Sequence, residues 1–365
     1  MKRPFSYTTL FVSLSVVLLS LAGIITIAVG CQNSAEPFAL VQKQFLRLLL
    51  GIAVMGITAN IPFEKIKKSA PYLIGFFLTA MYAVLWFGVK INGMRGWYKF
   101  GGTSFQPSEP GKVFFLLGLV LLLTRKNLFK TSNSSSDTKK ILLCGAYTAV
   151  WLAALVLQPD LGTSTVYCAT LLAVLFLGRI KKRCLAALFS IGIFSAAFFV
   201  MSHPYAMRRI NGFLNPETDP LGSNWHLNQL LRAVSRGAWT GVKSSNAHWS
   251  KSYLPFSYND SVFASVCESI GAVGAVFIPI AFLLIFYLLS KETEKRELDS
   301  ERGLFIQGAA FMLVFQSFLH ISVNLGLAPV TGITMPFVSY GGSSMISGCL
   351  LLGTVFSAMR NTDSI

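Results

Sequence analysis

The residues best suited to chemistry are few, and they fall in short polar segments between long apolar runs. Arg95, Glu109 and Lys112 lie in Asn92-Gly93-Met94-Arg95-Gly96-Trp97 and the segment that follows Gln106-Pro107-Ser108. Glu109 and Lys112 are three residues apart at a helix start, so they share a face and can pair. That pair reads equally as an interfacial ion pair beside a Trp97 belt anchor or as part of a polar site. Asp160, in Gln158-Pro159-Asp160-Leu161-Gly162-Thr163, precedes an apolar run and reads first as a helix cap, although a cap facing an external cavity could also touch substrate. Arg208, Arg209, Arg232 and Arg236 supply guanidiniums suited to forked contacts with phosphate oxygens, and Gln229 lies in the same stretch. Asp260 closes that stretch, and Glu268 follows two turns later. A carboxylate at the mouth of a membrane cavity is partly desolvated, which raises its pKa and improves it as a base. On spacing alone, Asp260 reads as an ordinary exposed loop carboxylate. Ser339, Tyr340 and Ser343 belong to Pro336-Phe337-Val338-Ser339-Tyr340-Gly341-Gly342-Ser343-Ser344, which reads as a closely packed helix start lining a polar cavity.

The elements that must hold these residues are membrane helices. Of 365 residues, 53% are hydrophobic and 13% charged, whereas soluble domains carry about 25% charged residues. A helix needs about 20 apolar residues to cross the hydrocarbon layer. Stretches near 8–30, 45–62, 71–90, 108–124, 140–158, 162–178, 184–202, 261–290, 304–325 and 335–358 approach that length. The expectation is an all-α integral membrane protein of about ten transmembrane helices forming a single polytopic domain over 1–365. A large external loop, about 203–260, separates the seventh span from the eighth. The 140–178 region could instead form one re-entrant unit. The first apolar run is too long for a signal peptide and lacks a small-residue cleavage site, so it reads as the first span.

Orientation follows from the positive-inside rule. With both termini cytoplasmic, 19 of the 31 basic residues face the cytoplasm, in the groups around Lys65, Arg125, Lys181 and Lys291 and at the two ends. The net charge of +16 therefore marks loops rather than one basic face, and nucleic acid is excluded as a partner. Cysteines mostly sit in apolar runs at no ligand spacing and read as small core residues, with Cys31 external. The four histidines form no metal-binding pattern. Asn133-Ser134-Ser135-Ser136 reads as a flexible cytoplasmic tip. The run of spans shows neither an internal repeat nor paired interrupted helices.

Four blocks carry a family resemblance: N-G-x-R-x-W…F-Q-P-S-E-x-x-K at 92–112, Q-P-D-L-G-T at 158–163, F-L-N-P-E-x-D-P-L-G at 213–222 and P-F-V-S-Y-G-G-S-S at 336–344. Asn324, Gly326 and Pro329 extend the last. The chain resembles the SEDS family of bacterial cell-wall polymerases, the RodA, FtsW and SpoVE proteins, over nearly its whole length. That resemblance implies a peptidoglycan glycosyltransferase that polymerises lipid II at the outer face of the cytoplasmic membrane, for elongation or division. It also implies a class B penicillin-binding protein as transpeptidase partner and membrane lipid around the chain. A divalent cation such as Mg or Mn is implied as cofactor, with no nucleotide. By the same resemblance, Asp260 takes the place of the catalytic aspartate. Arg95, Glu109, Lys112, Asp160, Arg208, Arg209, Gln229, Glu268, Ser339, Tyr340 and Ser343 are the implied substrate-binding set.

The chain also departs from the family pattern. Glu, His and Thr before the aspartate are Phe256, Tyr258 and Asn259, and I-G-S-G-G is Val234-Ser235-Arg236-Gly237-Ala238. These changes put the local hydrogen bonding around Asp260 in question. Competing readings are a lipid II flippase or transporter, and a catalytically weak scaffold for a transpeptidase. Transport predicts inverted repeats and broken helices with a midplane site, whereas the ionisable residues here gather at one face. The N-P-E-x-D-P-L-G block and short tails favour the elongation branch, and Val323-Asn324-Leu325-Gly326-Leu327 the division branch; the balance falls on elongation.

Overall fold

In the computed structural model the described residues are 7–30, 37–91, 93–125, 134–215, 224–242, 249–254, 256–294 and 300–360. External Cys31, most of the F-L-N-P-E-x-D-P-L-G block and Asn133 of the tip lie outside them. The helices are α1 (Tyr7–Gly30), α2 (Pro37–Asn60), α3 (Phe63–Phe87), α4 (Ser108–Thr124), α5 (Ser134–Leu157), α6 (Leu161–Leu177) and α7 (Lys182–Ser202). Across the long loop come α8 (Pro204–Leu214), α9 (Trp225–Gly237) and α10 (Trp249–Ser252), then α11 (Val262–Ala275), α12 (Phe277–Glu294), α13 (Glu301–Asn324) and α14 (Gly342–Met359). Ser134, Ser135 and Ser136 belong to α5 rather than to a flexible tip.

Seven of these helices are long and apolar enough to cross a membrane, or eight if the bent pair α11 and α12 forms one span. The chain is a multi-pass membrane protein. A count of ten requires α4 and α6, each of 17 residues. At 1.5 Å per residue they reach about 25 Å, short of the roughly 30 Å hydrocarbon layer. The apolar run at 261–290 is broken rather than continuous, with a 65° bend between α11 and α12. Gly271 has φ +72 inside α11, a conformation open to glycine at no steric cost. The amides freed by the break are taken by the segment after α9: Ala272 N donates to Ala238 O at 2.9 Å and Val273 N to Trp239 O at 3.3 Å. This broken span has no inverted counterpart among the described helices.

The 89–105 region is a small antiparallel sheet rather than a loop, with β1 (Val89–Ile91), β2 (Met94–Phe100) and β3 (Thr103–Phe105) in the order β1-β2-β3. Its aromatic residues, adjacent Trp97 and Tyr98 and then Phe100, are of a type that favours strands. Tyr98 anchors it by donating to Ala80 O of α3 at 2.9 Å.

α4 is central, with Val113 through Val120 buried, and Phe115 packs against Tyr147, Trp151 and Tyr167 from α5 and α6. Peripheral α7 has no buried residue, and Ile191, Phe194 and Phe198 are exposed. Cys184, Leu185 and Leu188 at its start pack against the core, and the rest of this all-round apolar helix suits lipid. The last helix, α14, packs closely on α2: Ser357 Oγ donates to Ile61 O at 2.5 Å, and Gly51 faces Cys349 where a Cβ would collide with its sulfur.

Candidate functional site

Asp260 is the penultimate residue of a tight turn ahead of α11. Asn259 N and Ser261 N both donate to Phe256 O, at 2.8 and 3.2 Å. Asn324, at the end of α13, clamps the turn from behind. Its Nδ2 donates to Asp260 O at 3.0 Å and His320 O at 2.9 Å, and its Oδ1 accepts from Ala264 N at 3.0 Å. In front stands the segment between α13 and α14. A methyl group at Gly332 would lie 3.6 Å from Asp260 Oδ2. One face of α13 holds that segment: His320 Nδ1 donates to Ile333 O at 2.8 Å and Gln316 Nε2 to Thr334 O at 2.9 Å. Gln316, His320 and Asn324 are spaced by four, one side chain per turn.

The P-F-V-S-Y block closes the turn from the other side. Ser339 Oγ donates to Asn259 O at 2.8 Å while accepting from Met335 N at 2.8 Å, and Tyr340 N donates to Tyr258 O at 2.7 Å. Tyr258 and Tyr340 also meet edge to face at 5.6 Å. The family's residues ahead of the aspartate are therefore replaced without loss of a scaffold, because backbone carbonyls of Tyr258 and Asn259 accept the bonds. Any side chain at those two positions supplies such a carbonyl.

Asp260 is partly exposed, yet burial pushes its carboxyl up to about 7, against the lowering pull of Arg209, with Asp160 adding to the rise. A carboxyl near 7 is balanced between acid and base at neutral pH. Arg209, on α8, is anchored by Nη1 on Val330 O at 2.9 Å. His226, on α9, shares a hydrogen bond of 3.0 Å with Ser261 Oγ. Burial and Arg209 hold this histidine down at about 4, so it is neutral at pH 7.

A second polar cluster adjoins this one. Lys112 Nζ donates to Glu109 Oε1 at 2.8 Å and Gln316 Oε1 at 2.9 Å, all three being buried. Asp160 caps α6 through Thr163 N at 3.0 Å and accepts from Gln106 Nε2 at 3.2 Å. Gln106 N in turn donates to Ser343 Oγ at 2.9 Å. Asp160 is thus both a cap and a member of the polar lining, and burial pushes its carboxyl upward. Gln316 joins the two clusters.

Four of the expected residues lie elsewhere. Arg95 is exposed, with Nη1 on Leu85 O at 2.9 Å near the end of α3, and Arg208 is exposed on α8. Glu268 is buried, its two oxygens taken by Trp249 N at 2.5 Å and Ser250 N at 2.8 Å, with Arg236 Nε at 3.4 Å. Gln229 Oε1 accepts from Trp249 Nε1 at 2.8 Å. Glu268 and Gln229 fasten the long loop to α9 and α11 because a buried acceptor takes the nearest donors.

The residues not singled out from sequence are Gln106, His226, Ser261, Gln316 and His320. Gln106 stood in the F-Q-P-S-E block and His226 and Ser261 in or beside the long polar segment, whereas the one advance signal of Gln316 and His320 was polarity inside an apolar run. Among the described residues no three of His, Cys, Asp or Glu converge as a metal site. Asp260 stands with Arg209 and with one other carboxylate, Asp160, a set that would hold a divalent ion only together with substrate phosphates.

A multi-pass bundle with a broken helix, ahead of which Asn324 holds a carboxylate of raised pKa, defines the class: a multi-pass membrane protein with a built polar centre around Asp260. The family model described as "Cell cycle protein", covering FtsW, RodA and SpoVE, matches residues 3–364. The chain belongs to this FtsW/RodA/SpoVE family, the SEDS family.

Among its relatives, the probable peptidoglycan glycosyltransferase FtsW of Aliivibrio salmonicida is 31% identical over 90% of this chain and 83% of that protein. The corresponding protein of Pseudoalteromonas translucida is 32% identical over 84% and 76%. Among solved structures, a chain of a peptidoglycan synthase complex that coordinates polymerization and crosslinking superposes with TM-score 0.80 at 28% identity, covering 98% of both chains. The Thermus thermophilus rod shape determining protein RodA gives 0.73 at 25% identity, covering 100% of this chain and 99% of that one. Both the division and the elongation names therefore occur among the similar proteins.

Proposed function

We infer that the protein polymerises lipid II into glycan strands at the outer face of the bacterial cytoplasmic membrane, with both termini cytoplasmic. Glycosyltransferase activity in cell-wall synthesis follows from family membership together with relatives at 31–32% identity that are named for it. The observation that carries the mechanism is Asp260, whose carboxyl is set near 7 and whose position is fixed by Asn324.

In this reading Asp260 takes the proton of the acceptor sugar hydroxyl as that oxygen bonds to the anomeric carbon of the donor. The bond to the polyprenyl diphosphate breaks, and the diphosphate leaves with the electron pair. Arg209 is the cation placed to meet the charge that develops there. Lys112 is committed to Glu109 and Gln316, so its part is to hold the cavity wall. A Mg or Mn ion would enter with the diphosphate, since Mg is usually bound by one or two carboxylates plus substrate phosphates. It would supply charge compensation only. The long outer loop and the peripheral helices leave a class B transpeptidase as the proposed partner. α4 and α6, enclosed by longer helices, would bring the number of spans to ten.

The test is purified protein given labelled lipid II, alone and with its transpeptidase. Strands that vanish with Asp260→Ala support the polymerase; strands that persist in that variant sink the role of Asp260. Lipid II translocation without strands would favour the transporter reading.

A further inference from the structure

α2 is an apolar helix whose outer surface exposes Phe45, Leu46, Leu49 and Leu50. Arg47 interrupts that run, and a charged residue within a span is costly unless it finds a partner. Its side chain lies against the last block of the chain. The guanidinium carbon is 4.3 Å from the centroid of the Tyr340 ring, and Nε is 3.1 Å from the place a Cβ on Gly342 would occupy. Nη1 is shut off from solvent without a hydrogen-bond partner. No carboxylate pairs with Arg47 among the described residues.

The position is firmly built. Gln44, one turn earlier and buried, donates from Nε2 to Ser339 O at 3.1 Å and accepts from Gly341 N at 3.4 Å. This face of α2 is therefore docked on 339–342, and α14 begins at Gly342 with no side-chain cap. The same block contacts the Asp260 turn through Tyr340 N and Tyr258 O at 2.7 Å. Arg47 thus stands on the far side of Tyr340 from the catalytic turn. It lies about 20 Å of helix from the end of α2 at Asn60, towards the membrane face that carries the site.

We propose that Arg47, with the Tyr340 ring and the uncapped start of α14, is a binding subsite for the phosphate group of a membrane-embedded lipid. Arg47 is partly exposed, and a guanidinium without a carboxylate partner matches phosphate oxygens at its open edge, while the start of a helix favours the same charge. The apolar outer face of α2 selects a ligand that arrives through the bilayer. Two lipids carry that chemistry: the polyprenyl diphosphate of the polymerase substrate, which rests on the function proposed above, and an anionic phospholipid.

The test uses the full chain in phosphatidylcholine nanodiscs, with undecaprenyl diphosphate and phosphatidylglycerol as separate probes, binding being read by native mass spectrometry. Wild type is compared with Arg47→Met and Arg47→Lys. Loss of a charge-assisted contact predicts binding weakened about tenfold or more in Arg47→Met, with Arg47→Lys in between. Ligand-free Arg47→Met should also melt no lower than wild type, because an uncompensated charge has been removed. A purely structural role predicts the opposite pair, a lower melting temperature and unchanged binding.

Loss confined to undecaprenyl diphosphate identifies the substrate as the ligand, and loss confined to phosphatidylglycerol identifies the bulk lipid. Unchanged binding of both in Arg47→Met and Arg47→Lys overturns the subsite. That result, with strands still abolished by Asp260→Ala, leaves the polymerase reading standing. Strands persisting in Asp260→Ala would remove the catalytic reading while the direct binding result stood.

Discussion

Asn324 holds Asp260 from behind, its Nδ2 3.0 Å from the aspartate's backbone oxygen, while its Oδ1 accepts from Ala264 N one turn into the next helix. One side chain therefore sets both the position of the carboxylate proposed as the base and the start of α11. Replacing it by Ala orphans a buried amide and frees the turn. Misplacement of a reacting group by about 1 Å costs on the order of a hundredfold in rate. Asn324→Ala should lower strand synthesis by about that factor, with near-unchanged lipid II affinity, read as kcat against KM. Loss of affinity at unchanged kcat would show that Asn324 does not act through Asp260.

The pH dependence follows from the same carboxylate. Burial favours the neutral acid and sets Asp260 at about 7; a base must be deprotonated, so kcat/KM should rise with pH through about 7 and level off above it. Arg209 lowers this value and Asp160 raises it. Arg209→Gln should accordingly move the rise to higher pH, and Asp160→Asn to lower pH, asparagine still serving as the α6 cap. Profiles that do not move in opposite directions would separate these groups from the base.

The Lys112–Glu109 pair is buried, with side chains 6% and 7% exposed. Removing one partner of a buried pair costs about 3–5 kcal/mol because the other charge is left behind, whereas replacing both is near neutral. Lys112→Met should melt well below wild type, and Lys112→Met with Glu109→Leu should recover much of the loss. Circular-dichroism melts in detergent compare the two, and equal melting temperatures would show that the pair carries no such penalty.

Ala238 stands where the family pattern has glycine, and it adopts φ +43 and ψ −136. Non-glycine residues in such regions carry about 1–3 kcal/mol of strain, partly offset in the alanine form by a stiffer unfolded chain. Ala238→Gly should raise stability by about 1 kcal/mol, visible as a higher melting temperature. No rise would mean that the bonds between Ala238, Trp239 and the α11 break set the conformation without strain.

That the chain is built of apolar membrane helices was legible in the sequence, because apolar length is a local property; Asp260 stood out only through the family blocks, since spacing alone left it an exposed loop carboxylate. The break at Gly271 was not. The run through it is uniformly apolar, and it opens only because the 238–242 backbone arrives to take the freed groups. The sheet at 89–105 escaped notice because its outer strands are three residues long. Within the site, Gln316 and His320 were missed since an amide or imidazole in an apolar helix gains its meaning from the carbonyl it meets. Those carbonyls, Thr334 O and Ile333 O, belong to a segment without periodic pattern. Glu268 was legible as polar but not as a loop fastener, because its partners Trp249 and Ser250 lie nearly twenty residues earlier in the chain.

The packing of α14 on α2 bears on biosynthesis. α2 is among the first helices to leave the ribosome and α14 the last of those described, so the docking face at Gln44 waits for almost the whole chain to be inserted. Asn324, Gly332 and Ser339, which surround Asp260, are likewise made after it. Until that final stretch is in place, the aspartate has neither its clamp nor its raised pKa. A stalled or prematurely terminated chain would therefore sit in the bilayer without a formed site.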